Sequence, residues 1–313
     1  MKIIILDRCT VTKGDVDLTP LEQYGTVEYY DILTKPEIIC VAKDADAIIC
    51  NKAIIDREIM ENTSIRFVGL FATGYNNIDT TAAHELGIVV CNVPGYSTDS
   101  VAQLTISLLL ELAGNTSRYV QSVAAGDWMK SKQFSYFAYS INEVAGKTLG
   151  LYGLGAIGSA VARIGQALGM KVIACTRTPK DVPGVELVGA DELFRRSDFL
   201  SLHCPLTPET TKLVNERTLS LMNPSSFIIN TARGGSIDEA ALASALNLGQ
   251  IAGAALDVLT VEPMAEDCPL RGAKNCIMTP HVAWASIEAR TRLIGMVGKN
   301  LQAFIDGTPI NCV

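Results

Sequence analysis

Leu149-Gly150-Leu151-Tyr152-Gly153-Leu154-Gly155-Ala156-Ile157-Gly158 sets a Gly-x-Gly-x-x-Gly pattern between a short apolar run and a segment of helical spacing. The spacing predicts a strand over 148–152, a turn at Gly153 and a helix over 156–168. In such a turn the first glycine permits the tight bend. The second lets a pyrophosphate approach the backbone, and the third lets the helix lie close to the strand. The helix start adds unpaired N–H groups and partial positive charge, both suited to phosphate. A glycine pattern alone is a weak signal, because many are ordinary turns. The preceding strand and a further strand expected at 171–175 point here to dinucleotide binding through Gly153, Leu154, Gly155, Ala156, Ile157 and Gly158.

That next strand runs into Cys175-Thr176-Arg177-Thr178. Folds that bind NAD usually carry an acid here for the ribose hydroxyls. An acid would repel a 2′-phosphate, whereas Thr176, Arg177 and Thr178 would accept one. Arg177 as a plain solvated charge is the blander reading. The missing acid makes NADPH the expected preference over NADH.

Outward from this stretch, short apolar runs alternate with helical patterns. Strands are expected at 2–6, 47–50, 67–70, 88–92, 199–202, 227–230, 253–257 and 276–279. Buried runs of this length separated by helices indicate parallel sheets in an α/β chain. A long helix is expected over 100–112 and another over 286–304. Between 115 and 144 apolar periodicity is weak, and Trp128, Phe134, Tyr136, Phe137 and Tyr139 suggest an irregular arm, either packed locally or used in a dimer.

With 313 residues the chain has room for two cores. A hydrophobic share of 48% against 19% charged excludes a disordered chain. A net charge of -7 argues against nucleic acid and anionic membranes as general partners. The apolar start ends at Asp7, too soon for a secretion signal, and the run over 104–112 is too brief to span a bilayer. Nine cysteines form no C-x-x-C pair. They read as reduced core thiols in a cytoplasmic protein, with no metal expected.

His84 lies on a polar helix end and reads as solvated. His203 and His281 each follow an expected strand, as do Arg233, Asp257 and Glu262. In open parallel sheets ligands bind at the carboxyl ends of strands. Each residue alone is more often structural; together they form a coherent set.

Gly153–Gly158, Ser201-Leu202-His203-Cys204-Pro205-Leu206, Asn230-Thr231-Ala232-Arg233-Gly234, Asp257-Val258 through Glu262-Pro263, and Pro280-His281 occur in an order that resembles the D-isomer-specific 2-hydroxyacid dehydrogenases over almost the whole chain. Asn51-Lys52, Thr73-Gly74-Tyr75-Asn76-Asn77-Ile78-Asp79 and His281-Val282-Ala283-Trp284-Ala285 are most similar to glycerate dehydrogenases, also called hydroxypyruvate reductases. The resemblance implies that Arg233 holds the substrate carboxylate and keto oxygen, with backbone donors from Thr73 and Gly74. It implies that His281 gives the proton, while Glu262 bonds the other ring nitrogen and favours the charged ring. Asn51 and Trp284 would line the substrate pocket, and Lys52 reads either as a surface charge, the favoured reading, or as an attraction for a second anionic group. Asp257 would face the nicotinamide carboxamide. Thr105, Thr231, Ala232, Arg233 and His281 would line the cofactor, and His203, Cys204 and Pro205 its adenosine side.

The implied architecture is two doubly wound parallel-sheet (Rossmann-like) domains with the active site in the cleft between them. Residues 1–98 with 285–313 would form a discontinuous substrate domain, and residues 99–284 the dinucleotide domain. The expected activity is hydride transfer between NAD(P)H and a small 2-keto acid, hydroxypyruvate or glyoxylate, giving D-glycerate or glycolate. The arm over 115–144 would make a homodimer. A dinucleotide-sensing transcriptional corepressor of the same fold is the alternative, and the chain lacks that branch's long flanking tails. A formate dehydrogenase would carry Gln at position 262.

Overall fold

The computed structural model describes every residue from Met1 to Val313. The chain forms two compact units, Met1–Ser97 with Trp284–Val313, and Thr98–Ala283.

In the first unit β1 (Lys2–Ile5), β2 (Thr26–Tyr29), β3 (Ala47–Cys50), β4 (Phe67–Leu70) and β5 (Val89–Cys91) make a parallel sheet in the order β2-β1-β3-β4-β5. Neighbouring residues leave the sheet on opposite faces. Ile3, Ile5, Ile49 and Phe67 enter one core with Leu293, Ile294, Val297 and Leu301 of the helix Ile287–Ile305. Ile4, Ile48, Val68 and Leu70 enter the other, with Ile38, Ile59 and Ala82 from the helices Lys35–Ala42, Arg57–Glu61 and Thr80–Glu85. Burial on both faces explains the unbroken apolar runs. β2 was not among the expected strands. It is an edge strand only partly buried, and its Thr-Val-Glu-Tyr sequence carries no apolar run.

The second unit contains β6 (Thr148–Tyr152), β7 (Lys171–Cys175), β8 (Val185–Leu187), β9 (Phe199–Leu202), β10 (Phe227–Asn230), β11 (Gly253–Leu256) and β12 (Cys276–Met278). They pair in parallel in the order β12-β11-β10-β9-β6-β7-β8. The chain winds one way from β6 and then the other from β9, so the topological switch point lies between those strands. Register aligns Tyr152 with Leu202, Leu202 with Asn230, Asn230 with Leu256, and Leu256 with Met278. The segments that follow these strands therefore leave from one edge.

The segment 115–144 departs from the expected irregular arm. It contains helices at Thr116–Ala124 and Asp127–Lys130. The first buries only Ser122 and leaves Val120 and Val123 exposed, so it has no core-facing apolar stripe to betray it. The aromatic residues beyond it brace it in part, with the Tyr119 hydroxyl donating to the Tyr139 carbonyl oxygen at 2.6 Å.

Leu293 is fully buried in the first unit's core, although more than 200 residues separate it from that unit's strands. Leu293→Ala should cost about 2–5 kcal/mol, the usual range for emptying a buried leucine site. Urea unfolding measures this; a loss below about 0.5 kcal/mol would mean the helix does not complete that core.

Candidate active site

The glycine turn has a different constraint at each glycine. Gly153 has φ +103°, and a Cβ there would lie 2.7 Å from the backbone carbonyl of His203. A Cβ on Gly158 would lie 2.2 Å from the Gly153 carbonyl oxygen. Gly155 differs: its φ is -71° and its added Cβ would meet no protein atom within 4 Å. Neither backbone strain nor packing demands glycine there, whereas a phosphate drawn to the first turn of the helix Ala156–Ala167 would need that space. Leu154 is buried, so it can serve a ligand only through its backbone, while Gly155 and Ala156 are exposed and Ile157 half-buried. The residues present fit a dinucleotide pyrophosphate.

After β7, Thr176 is half-buried and its hydroxyl donates to the Thr178 carbonyl oxygen at 3.4 Å; Arg177 and Thr178 are exposed. Arg177 has an acidic neighbour. Glu209 is held below the usual carboxylate range, mainly by the Thr207 hydroxyl and to a lesser degree by Arg177. After β9, His203 Nε2 lies 2.9 Å from Ser201 Oγ, and burial pushes the imidazole down to about 4. Cys204 is buried and its thiol is pushed up by that burial, while Pro205 is exposed.

The loops after β10 and β11 interlock. A Cβ on Gly234 would stand 1.9 Å from the Leu259 carbonyl carbon, so only glycine allows this approach. Asn230, fully buried, accepts the Ala232 N–H at 3.0 Å and donates to the Arg233 carbonyl oxygen at 2.8 Å. It thereby shapes the turn that presents the exposed Arg233 side chain, whose Nη1 donates to the Ala232 carbonyl oxygen at 2.7 Å. Thr231 is 8% exposed, and its hydroxyl meets that of Thr105 at 2.8 Å. Thr105 has no exposed surface. In this structure it stands behind Thr231 and supports it.

His281 Nδ1 lies 2.6 Å from Glu262 Oε2. Glu262 Oε1 accepts the Leu259 N–H at 2.9 Å, so the carboxylate is anchored through both oxygens. His281 itself adopts φ +54°, which is uncommon for a residue with a Cβ. Asp257 stabilises that turn. Its carboxylate accepts the Thr279 hydroxyl at 2.6 Å and the N–H groups of Val282 at 2.9 Å and Ala283 at 2.8 Å, and its carbonyl oxygen accepts the His281 N–H at 2.8 Å. Asp257 is 1% exposed, so in this structure it shapes the His281 loop more than it offers a ligand surface.

In the first unit, Thr73 is exposed and Gly74 half-buried. The Thr73 hydroxyl donates to the Val93 carbonyl oxygen at 2.7 Å, and Asn92 Nδ2 donates to the Thr73 carbonyl oxygen at 2.7 Å. Asn51 is 4% exposed, and its amide donates to Thr10 Oγ1 at 3.0 Å. Lys52 is exposed. Trp284 packs edge-on to Tyr96 with centroids 6.3 Å apart and belongs with the first unit, not at the end of the second. Asp7 went unnoticed in the sequence. Left-handed at φ +45°, its buried carboxylate accepts the N–H groups of Asn51, Lys52 and Ala53 and sets the turn after β3. Burial raises its pKa against those bonds. Asn92 and Asn230 were missed likewise. The one available signal was a polar residue at the end of an apolar strand.

A seven-stranded parallel sheet of this order, with a glycine turn at its switch point, defines a dinucleotide-binding dehydrogenase unit. Residues 106–283 match the sequence profile described as D-isomer specific 2-hydroxyacid dehydrogenase, NAD binding domain. A hydroxypyruvate reductase of Blautia hydrogenotrophica is 42% identical, the match covering 100% of this chain and 99% of that protein. A glycerate dehydrogenase of Methylorubrum extorquens is 38% identical, covering 100% of this chain and 98% of that one. Among solved structures, an acyclic imino acid reductase in complex with NADPH and D-Arg superposes with a TM-score of 0.87 at 31% identity, over 100% of both chains. The chain belongs to the D-isomer-specific 2-hydroxyacid dehydrogenase family. It is an NAD-binding oxidoreductase of that kind, and no helix in it is long and apolar enough to cross a membrane.

The lowered pKa of His203 predicts an acid-sensitive fold. The folded protein keeps this ring neutral down to about pH 4, whereas the unfolded chain binds the proton near 6.5. Its contribution to stability is intact above 6.5 and is lost as pH falls towards 4. The loss should be on the order of 3 kcal/mol. Urea unfolding of wild type and His203→Asn at pH 7 and 4.5 measures it; equal pH dependence in both would refute the assignment.

Proposed function

We propose that the chain reduces hydroxypyruvate, and more slowly glyoxylate, to D-glycerate and glycolate, with NADPH preferred over NADH. The observation that carries the chemistry is the 2.6 Å contact between His281 Nδ1 and Glu262 Oε2, on loops leaving the same sheet edge as the glycine turn. The bound dinucleotide supplies the hydride. Glu262 accepts the hydrogen bond from Nδ1–H and orients the ring, and the imidazolium of His281 delivers its Nε2 proton to the keto oxygen, leaving the neutral ring. Arg233 pairs its planar guanidinium with the substrate carboxylate and keto oxygen, which a point charge could not do. The backbone N–H groups of Thr73 and Gly74 are the proposed anion-holding donors of the first unit, with Trp284 lining the pocket. Thr231 and Ala232 line the nicotinamide side with Asp257 behind them holding the His281 loop, and His203, Cys204 and Pro205 line the adenosine side.

The cofactor preference is supported by the lack of any acid between Cys175 and Thr178 and by the exposed Arg177 guanidinium. The substrate reading is supported by the relatives that carry the hydroxypyruvate reductase and glycerate dehydrogenase names. Trp128, Met129, Phe134 and Phe137, exposed by 50%, 85%, 94% and 85%, support a homodimer formed through this arm. Sedimentation should then give twice the chain mass; a monomer at micromolar concentration would refute it. Nine unpaired cysteines fit a reducing, cytoplasmic location.

His281→Ala should lower kcat about 10²–10⁴-fold with dinucleotide affinity nearly intact, because the proton donor is the main group removed. Stopped-flow and fluorescence titration separate these two quantities, and turnover within a few fold of wild type would reject His281. Wild-type kcat/KM should favour NADPH about tenfold, the worth of one charged hydrogen bond. Thr176→Asp should reverse that order; equal use of both cofactors by wild type would remove the preference.

A further inference from the structure

One pair of sulfurs stands apart from the other cysteines. Cys91 Sγ and Cys312 Sγ lie 3.9 Å apart, at a separation of 221 positions along the chain. Cys91 ends β5 and is buried, while Cys312 is exposed in the segment that follows the helix Ile287–Ile305. That segment runs antiparallel to β5. The Asn92 N–H donates to the Asn311 carbonyl oxygen and the Val313 N–H to the Val90 carbonyl oxygen, each at 3.1 Å, and the two cysteines face each other. Because the hydrogen bonds belong to the flanking residues, this is the non-hydrogen-bonded type of pair, with Cα atoms about 4.5 Å apart. A disulfide requires Cα atoms about 4.4–6.8 Å apart, so side-chain rotation is all that closure demands.

The same segment reaches the Thr73 turn through a relay of side-chain amides. Asn311 Nδ2 donates to Asn300 Oδ1 at 2.8 Å, and Asn300 Nδ2 to the Asn92 carbonyl oxygen at 2.9 Å. Asn92 Nδ2 then donates to the Thr73 carbonyl oxygen at 2.7 Å. Asn300 is fully buried, which makes the chain of amides stiff.

We propose that Cys91 and Cys312 form a reversible disulfide when the protein meets a peroxide, clamping this segment to β5 and steadying the Thr73 turn. The exposed Cys312 sulfur attacks a peroxide oxygen, the O–O bond breaks, and a sulfenic acid and water result. Cys91 sulfur then attacks Cys312 sulfur, the S–S bond forms and the S–O bond breaks, releasing water. In sum two thiols and one hydrogen peroxide give one disulfide and two waters, and a dithiol reductant reverses the change. Burial and the neighbouring sulfur push the Cys91 thiol up to about 12, so Cys312 reacts first, and Cys91 gives its proton to the departing hydroxide as it attacks. The link to Thr73 rests on the reading of Thr73 and Gly74 as substrate donors; formation of the bond does not.

The test treats full-length protein carrying Cys9→Ser and Cys40→Ser, which removes the other exposed thiols, with hydrogen peroxide, and then with dithiothreitol. Non-reducing peptide mass mapping should find the Cys91 and Cys312 peptides joined with loss of two hydrogens. The melting temperature should rise by about 5 °C, as closing so long a loop restricts the unfolded chain. The KM for hydroxypyruvate should fall about twofold with the NADPH KM unchanged, since a steadier turn needs less ordering on binding. Cys312→Ser should abolish all three changes, and dithiothreitol should reverse them. Sulfinate on Cys312, or linkage only between molecules, would overturn the proposal. A formed bond with an unaltered hydroxypyruvate KM would overturn the link to Thr73. If the substrate reading itself failed, no keto acid would turn over, and the mass and melting changes would still appear.

Discussion

In-register parallel pairing across β6, β9, β10, β11 and β12 governs where every candidate catalytic group of the second unit can stand. Because Tyr152, Leu202, Asn230, Leu256 and Met278 are aligned, the segments beginning at Gly153, His203, Thr231, Asp257 and Thr279 leave together. The register is held by burial on both faces. Phe199, Phe227, Ile229 and Ala255 enter one core, while Leu200, Leu202, Ile228, Ala254 and Leu256 enter the other. A slip of one residue would exchange the two sets and disperse the edge.

The loops that leave this edge are shaped by buried polar side chains. Asp257 gathers donors from Thr279, Val282 and Ala283, and so maintains His281 in its left-handed turn. Asn230 does the same for Arg233, and in the first unit Asp7 does so for the turn at Asn51. Burying a polar or charged side chain is unfavourable unless its hydrogen bonds are replaced, and each of these groups replaces them with partners from the loop. Rigid loops favour catalysis, because a proton donor misplaced by an ångström loses much of its effect.

Close approach of backbone to backbone is the other device. Gly153, Gly158 and Gly234 are glycine because a Cβ would strike a neighbouring main chain. Gly155 has no such neighbour, and its smallness relates to the phosphate that the turn would hold. One sequence pattern thus contains two kinds of glycine, which geometry alone separates.

Most of the strands, the glycine turn and the placing of Arg233, Glu262 and His281 on segments that follow strands were legible in the sequence, since apolar period and glycine spacing are local signals. The edge strand β2 and the helix Thr116–Ala124 were not, because neither turns an apolar stripe to a core. The roles of Asp7, Asn92 and Asn230, and the retreat of Thr105 and Asn51 from the surface, were equally hidden. So was the meeting of Cys91 with Cys312 across 221 positions. These depend on partners brought together by folding, and a linear chain carries no mark of which distant amide or thiol will face which. Local periodicity chose the elements and the chemistry; tertiary packing decided which side chains reach a ligand and which stand behind them, because burial is a property of the folded chain.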